Sequence, residues 1–397
     1  MGRFHALDAV RAMALLLGIV LHACMSFLPA MREIGFPVVD DSSSEVLNAL
    51  FLLIHMFRMP LFFVMAGYFA RLVVQRRGVA AFARDRLLRI VRPLVLGWIV
   101  IVPLTGGILY AVAQQENKPL FHPNIPPGSA LQFPLAHLWF LYVLVLVYIG
   151  FMTLRWMSLL WLGRHDRLLP ALRKVDAVVH GLVAFPVGVL VLAAPLAFAL
   201  YHYEWWWVSL GIPTPDYSLL PNPPALVGYG LAFTLGWSMQ RQPGLLLTLA
   251  RLWLDYLLLG STLTFACVAI AGTSMAAVIT GPAERMVYAL CYCAASWCWI
   301  FALTGAAVRF MPQENLRWRY LADASYWMYL VHLPLVFALQ ALVMHWPLHW
   351  SLKFAGVLIL ALALPLLSYK HLVRHTWLGK MLNGRRYPAN GAAVPAQ

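Results

Sequence analysis

Residues 7–22 read LDAVRAMALLLGIVLH, a charged turn holding Asp8 and Arg11 that runs into an apolar stretch closed by His22. Apolar continuity from Leu7 to Pro29 is enough to cross a hydrocarbon core of ~30 Å as a helix of about 20 residues. Asp8 and Arg11 interrupt its start and no small-residue cleavage site follows, so the segment is expected to stay as a helix rather than be removed as a signal. Working outward, further spans are predicted at Val46 to Val73, Pro93 to Val112, His137 to Trp156, Val178 to Leu200, Pro224 to Met239, Leu245 to Ala271, Met286 to Val308, Ala322 to His345 and Leu348 to His371. The expected fold class is therefore all-α, a polytopic bundle of about ten transmembrane helices in a lipid bilayer.

Composition agrees: 62% of the 397 residues are hydrophobic, only 11% are charged, and mean hydropathy is +0.75. The formal charge of +14 is read through loop placement, not as a sign of nucleic-acid binding. Arg71, Arg76, Arg77, Arg84, Arg86, Arg89 and Arg92 surround one joint, and Arg155, Arg164, Arg167, Arg173 and Lys174 the next but one. Arg241, then Arg309, Arg317 and Arg319, and finally Lys370, Arg374, Lys380, Arg385 and Arg386 continue the alternation. The intervening joints hold Arg32, Lys118 and Arg285, and none from Tyr201 to Pro224. The positive-inside rule then places both termini in the cytoplasm, which for a bacterial chain means the inner membrane. The predicted outer joints are rich in Pro and aromatics, with Pro119, Pro123, Pro126 and Pro127 in one and Trp205, Trp206 and Trp207 in another. Those tryptophans suit an interfacial belt or a sugar-stacking platform. Cys24, Cys267, Cys291, Cys293 and Cys298 all fall in apolar segments with no ligand spacing, so no metal site is expected.

An ionisable group inside a span is costly, which makes such residues the best functional signal. At about 100° per residue, the step from Arg11 to His22 is within about 20° of three full turns, so both share a helix face about 16 Å apart along the axis. Gly18 lies on the same stripe, and Asp8 is three residues from Arg11, close enough to pair. The second span carries His55 and Arg58, the latter too deep to snorkel and in need of a carboxylate or an anionic ligand. Arg86 and Arg89 share a face before the third span, where guanidinium groups either serve topology or clamp a phosphorylated ligand. His137 beside Trp139, and Tyr326, Tyr329 and His332 in SYWMYLVHLP, complete the set. No GxSxG, Walker or HExxH pattern is present, which disfavours a serine hydrolase, an ATP-driven pump and a zincin.

These motifs, in this order, resemble the acyltransferase 3 family. Its first-helix LDxxRA with Arg-x10-His is met by Arg11 and His22, its FRxPLFFxxSGY by FRMPLFFVMAGY with Ala66 in place of Ser, its RxxR by Arg86 and Arg89, and its YxxYLxHxP by Tyr326 to Pro334. The resemblance implies a transmembrane domain at residues 1–375; the charge alternation puts the tail at 376–397 in the cytoplasm, and the composition of its end, PANGAAVPAQ, predicts disorder there. The resemblance also implies O-acyl transfer from cytosolic acyl-CoA, succinyl or acetyl, to a hydroxyl of a periplasmic or cell-envelope glycan, with no metal. In that reading His22 is the catalytic base or a covalent acyl carrier, supported by Arg11 and Asp8. Arg86 and Arg89 hold the donor, and Arg58, His137, Trp139, Tyr326 and His332 line the substrate site. A glycan or lipid transporter would also want buried charges and an aromatic mouth.

Overall fold

A computed structural model describes residues 5–118, 133–161, 168–274 and 277–384. Among them there is no strand, and the protein is an all-α polytopic membrane protein. The expected prolines 119, 123, 126 and 127, Arg164, Arg167, Arg385, Arg386 and the end of the tail lie outside the described residues.

The main helices are α1 (His5–Cys24), α2 (Glu45–Arg86), α3 (Arg92–Gln115), α4 (Trp139–Trp161), α5 (Leu168–Ala184), α6 (Val189–Tyr201), α7 (Pro223–Arg241), α8 (Gly244–Ala271), α9 (Pro282–Phe310), α10 (Leu316–Val343), α11 (Trp350–Ser368) and α12 (Trp377–Asn383). Among the described residues seven helical stretches are long and apolar enough to cross a membrane, or eight if one bent pair counts as a span. One of the seven runs 71 residues from Glu45 to Gln115; at ~1.5 Å per residue it would be about 107 Å long, far more than one bilayer core. It holds both predicted spans of that region, separated by non-helical Gly78 at φ 80° and by a π-helical turn at Leu87–Val91. The predicted sixth span is present as α7, a helix of 19 residues, although it is too polar to be one of the seven.

The predicted straight span from Val178 to Leu200 is corrected by the structure. Pro170–Ala184 and Pro186–Tyr201 meet at 114°. Phe185, the residue before Pro186, is extended at φ −114° and ψ 117°, because proline's ring disfavours the helical region in its predecessor.

Local chemistry sets several helix starts. Ser44 caps α2 by accepting from the Leu47 N–H at 3.3 Å, and Asn222 caps α7 by accepting from Ala225 at 2.9 Å ahead of Pro223. Asn315 caps α10 by accepting from Arg317 N–H at 2.9 Å. Helices α2 and α7 approach main chain to main chain: a side chain at Gly67 would strike the Phe233 carbonyl, and one at Gly236 the Val64 carbonyl. Small residues let membrane helices gain close van der Waals contact where lipid supplies no hydrophobic drive. α1 and α9 are the most enclosed spans. The outer faces carry exposed Ile99, Val100, Leu258, Phe265, Leu352 and Ile359, a surface suited to lipid tails. α1 packs on α2, α9, α10 and α11, which puts its polar stripe at the centre of the bundle.

Candidate active site

A cavity of about 1420 Å³ runs beside α1. At one end it is lined by Asp8, Arg11, Arg76, Arg77, Arg86 and Arg89, in its middle by Arg58, His55, His22, His137 and His332, and at the other end by Phe36, Pro37, Thr214, Asp216 and Tyr217. Apart from the loop tryptophans, every candidate residue of the sequence reading lines this one space, Trp139 and Tyr326 included. So does Ala66, which has no hydroxyl to contribute there. Trp205, Trp206 and Trp207 do not. Trp206 is buried, donates to Gly211 O at 2.8 Å and lies under the Arg285 guanidinium at 5.4 Å, so it is a packing residue of the loop.

The stripe on α1 is held by α10. Arg11 donates to the Ala322 carbonyl at 3.0 Å, and Asp8 is buried at 7% exposure. Gln340 donates to the carbonyls of His22 at 3.1 Å and Ala23 at 3.0 Å, main-chain acceptors that the end of a helix leaves without an internal partner. His22 falls in the last turn of α1, so it lies at the end of the helix opposite Asp8 and Arg11.

Three imidazoles converge here. The ring centres of His22 and His332 are 5.2 Å apart, and those of His332 and His137 also 5.2 Å. His332 Nδ1 lies 2.7 Å from Tyr329 O, His137 Nε2 lies 3.2 Å from Leu330 O, and His22 Nδ1 lies 3.3 Å from the Met25 sulfur. His137 is further fixed by the Tyr329 hydroxyl, which donates to its carbonyl at 2.7 Å, and by Ala136, held at φ 45°. A non-glycine residue there is strained, and such strain persists only where surrounding contacts over-determine it. Among the described residues no group of three His, Cys, Asp or Glu could hold a metal ion.

Arg58 stands one helical turn from His22. Its guanidinium packs over Gly18, where any side chain would collide with it, and four residues at ~1.5 Å place Gly18 about 6 Å along α1 from His22. Arg58 forms no hydrogen bond or ion pair among the described residues, and its Nε is buried without a partner. His55 is stacked on Phe51 with ring centres 5.4 Å apart. Trp139 is stacked on Tyr229 at 5.5 Å, which props it against the cavity wall.

At the arginine-rich end, Asp85 bridges the two predicted donor ligands, 3.0 Å from Arg86 Nη2 and 3.2 Å from Arg89 Nε. Arg86 also donates to the Tyr148 hydroxyl at 3.4 Å and Arg89 to the Asn383 carbonyl at 3.0 Å, at the end of α12. The Tyr326 hydroxyl donates to the Arg89 carbonyl at 2.7 Å. Tyr326 thus secures the π turn that presents the arginines, a turn type whose widened ladder recurs at functional sites.

A family profile described as an acyltransferase domain matches residues 4–370. The chain belongs to the acyltransferase 3 family. It is also similar to glucans biosynthesis protein C of Salmonella paratyphi B (strain ATCC BAA-1250 / SPB7), 30% identical over 147 residues, which are 36% of this chain and 37% of that protein. The proteins of the same name from Salmonella heidelberg (strain SL476) and Salmonella agona (strain SL483) match to the same extent. The chain thus spans little more than a third of the length of these relatives. No solved structure matches it.

In this acyltransferase 3 protein, sequence reasoning missed Gln340, Asp85, Tyr148 and the loop residues Thr214, Asp216 and Tyr217. Gln340 had a signal: it is an amide inside an apolar span and is fully buried, the same anomaly that singled out His332. Asp216 and Tyr217 had none, since only folding brings their carbonyls to the Leu135 and Phe133 N–H groups at 2.7 Å each.

Proposed function

We propose that this protein moves an acyl group, succinyl or acetyl, from cytosolic acyl-CoA to a hydroxyl of a periplasmic or cell-envelope glycan, sitting in the bacterial inner membrane with both termini cytoplasmic. The observation that carries this reading is the single cavity joining an arginine-rich end to a histidine cluster under the opposite loops. Arg86 and Arg89 suit the phosphates of the donor, because paired guanidinium groups match phosphate oxygens. The donor's thiol arm then threads the ~16 Å from Arg11 to His22. A glycan is the acceptor class suggested by the printed name of the relatives, glucans biosynthesis protein C.

His22 takes the proton of the acceptor hydroxyl as its oxygen bonds to the thioester carbonyl carbon. The C–S bond then breaks, and the departing thiolate receives the proton from His22. Arg58 supplies the cation for negative charge developing on the acyl oxygen, in a site where few waters compete. Arg11 and Asp8 keep α1 and α10 in register. A positioned base contributes about 10² to 10⁴ in rate.

Purified protein in nanodiscs should transfer label from acyl-CoA to an oligosaccharide, and lose that transfer in His22→Gln. Movement of an unmodified glycan across a proteoliposome membrane, with no label transferred, would make the protein a transporter and overturn the proposal.

A further inference from the structure

The hydrogen bonds of the histidines fix which nitrogen of each ring is bare. A carbonyl oxygen only accepts, and a neutral imidazole has one N–H. His332 therefore spends its Nδ1–H on Tyr329 O at 2.7 Å, and His137 its Nε2–H on Leu330 O at 3.2 Å. A thioether likewise only accepts, so the Met25 sulfur at 3.3 Å takes the His22 Nδ1–H. With the Arg58 guanidinium already buried beside them, neutral rings add no further buried charge. What remains are lone pairs on His332 Nε2 and His137 Nδ1, both buried and without a hydrogen-bond partner among the described residues, plus Nε2 of His22. The residues are 3% and 7% exposed at His332 and His137, and all three rings line the cavity.

A buried acceptor left unsatisfied costs about 1–3 kcal/mol, and here two such atoms stand in neighbouring rings next to the base. Their complement is a ligand with consecutive hydrogen-bond donors that carry no positive charge, since a cation would meet Arg58. Consecutive hydroxyls on a sugar ring have that chemistry; next to its thioester the arm of acyl-CoA has only an isolated amide, its single hydroxyl lying at the far, phosphate end. We propose that His332 and His137 are the acceptor-recognition subsite, which takes a sugar ring bearing adjacent hydroxyls. The hydroxyl to be acylated donates to His22 Nε2, its neighbour to His332 Nε2 and the next one toward His137 Nδ1. The inference rests on the acyl-transfer reading above and adds to it which sugar atoms are read: the site selects a hydroxyl by its neighbour.

Two measurements test it. Nitrogen-15 solid-state NMR of histidine-labelled protein in lipid, with His332→Gln and His137→Gln used for assignment, should show His332 protonated at Nδ1 and His137 at Nε2. The opposite tautomer at either ring overturns the subsite whatever the enzyme does. Acyl transfer to a methyl hexopyranoside is then compared with transfer to each of its monodeoxy analogues. At least one analogue that keeps the acylated hydroxyl should lose tenfold or more in kcat/KM, and His332→Leu should abolish that discrimination, accepting parent sugar and deoxy analogue equally. A merely structural His332 would slow both sugars alike and leave their ratio intact, which overturns the proposal. Equal use of all analogues by the parent enzyme does the same while leaving acyl transfer standing; transfer to no sugar at all removes both readings together.

Discussion

Arg58 and the pair Arg86 and Arg89 carry the same side-chain group at two depths, and the protein treats them in opposite ways. The boundary pair is neutralised by the chain itself, through Asp85, the Tyr148 hydroxyl and the Asn383 carbonyl. The deep arginine meets Gly18, aromatic rings and histidines, with no carboxylate among the described residues. A charge near the interface can be stabilised by neighbours and water, whereas a buried guanidinium without a counter-charge is destabilising by several kcal/mol. The difference teaches that the fold itself satisfies the boundary charges, whereas the deep one stays open to the cavity, which makes the deep site the more informative place to look for chemistry.

The largest expected effect lies beside the deep arginine. His22→Gln keeps bulk and hydrogen bonding but exchanges no proton near neutral pH, so turnover should fall about 10²-fold or more with acyl-CoA binding unchanged. Retention of more than about a tenth of parental turnover would return His22 to a packing role and remove the contrast between the two depths.

Arg58→Met sharpens the comparison through two signs at once. Turnover should fall by about tenfold or more, while thermal stability in detergent should stay level or rise, because a buried unpaired charge is replaced by an apolar side chain. A large loss of stability would instead mean that Arg58 is paired within the fold, and the opposition with Arg86 and Arg89 would disappear.

At the boundary the effects are smaller. Arg89→Ala should weaken acyl-CoA binding by about tenfold, within the range for a charge-assisted hydrogen bond, with turnover at saturating donor preserved. Asp85→Asn should act the other way and tighten donor binding a few-fold, since it releases both guanidinium groups from a competing carboxylate. Equilibrium titration with acyl-CoA reads both, and identical affinities in all three proteins would leave these arginines with topology alone.

The smallest effect concerns the loop-covered end. His345 bridges Asp41 at 3.0 Å and Glu116 at 2.9 Å, and the hydrogen bonds to those two carboxylates raise its pKa above the ordinary 6.5. A raised folded-state value contributes stability that is complete below pH 6.5 and is lost as pH rises through the higher folded value. His345→Gln should therefore lower stability at pH ~5.5 by less than about 1 kcal/mol, given solvent screening of a half-exposed pair, and change nothing well above neutrality. Melting curves across that range check it; a deficit that grows with pH contradicts the sign.

Much of this was legible in the chain because a helix has a fixed period. Arg11, Gly18 and His22 could be placed on one stripe by counting residues, and His55, Arg58, His137 and His332 stood out as polar groups in apolar spans. Their convergence could not be read, since nothing in the order of residues states that the turn before α4 meets α10 beside the end of α1. Counting gives distance along α1, but the end of that helix is set by the turn at Met25 and the loop folded over it. The bend at Phe185 had a visible cause in Pro186, yet the uninterrupted apolar character of Val178 to Leu200 outweighed it.

The grip of Gln340 on the carbonyl of His22, across a separation of 318 residues, has a consequence for biogenesis. At about 5–20 residues per second of synthesis, His22 enters the membrane roughly 15 to 60 s before its clamp exists. Helix α1 is therefore completed by a helix made much later, and a chain that stops short of α10 has no assembled histidine cluster. The cluster of His22, His332 and His137 is complete only once α10 has packed against α1.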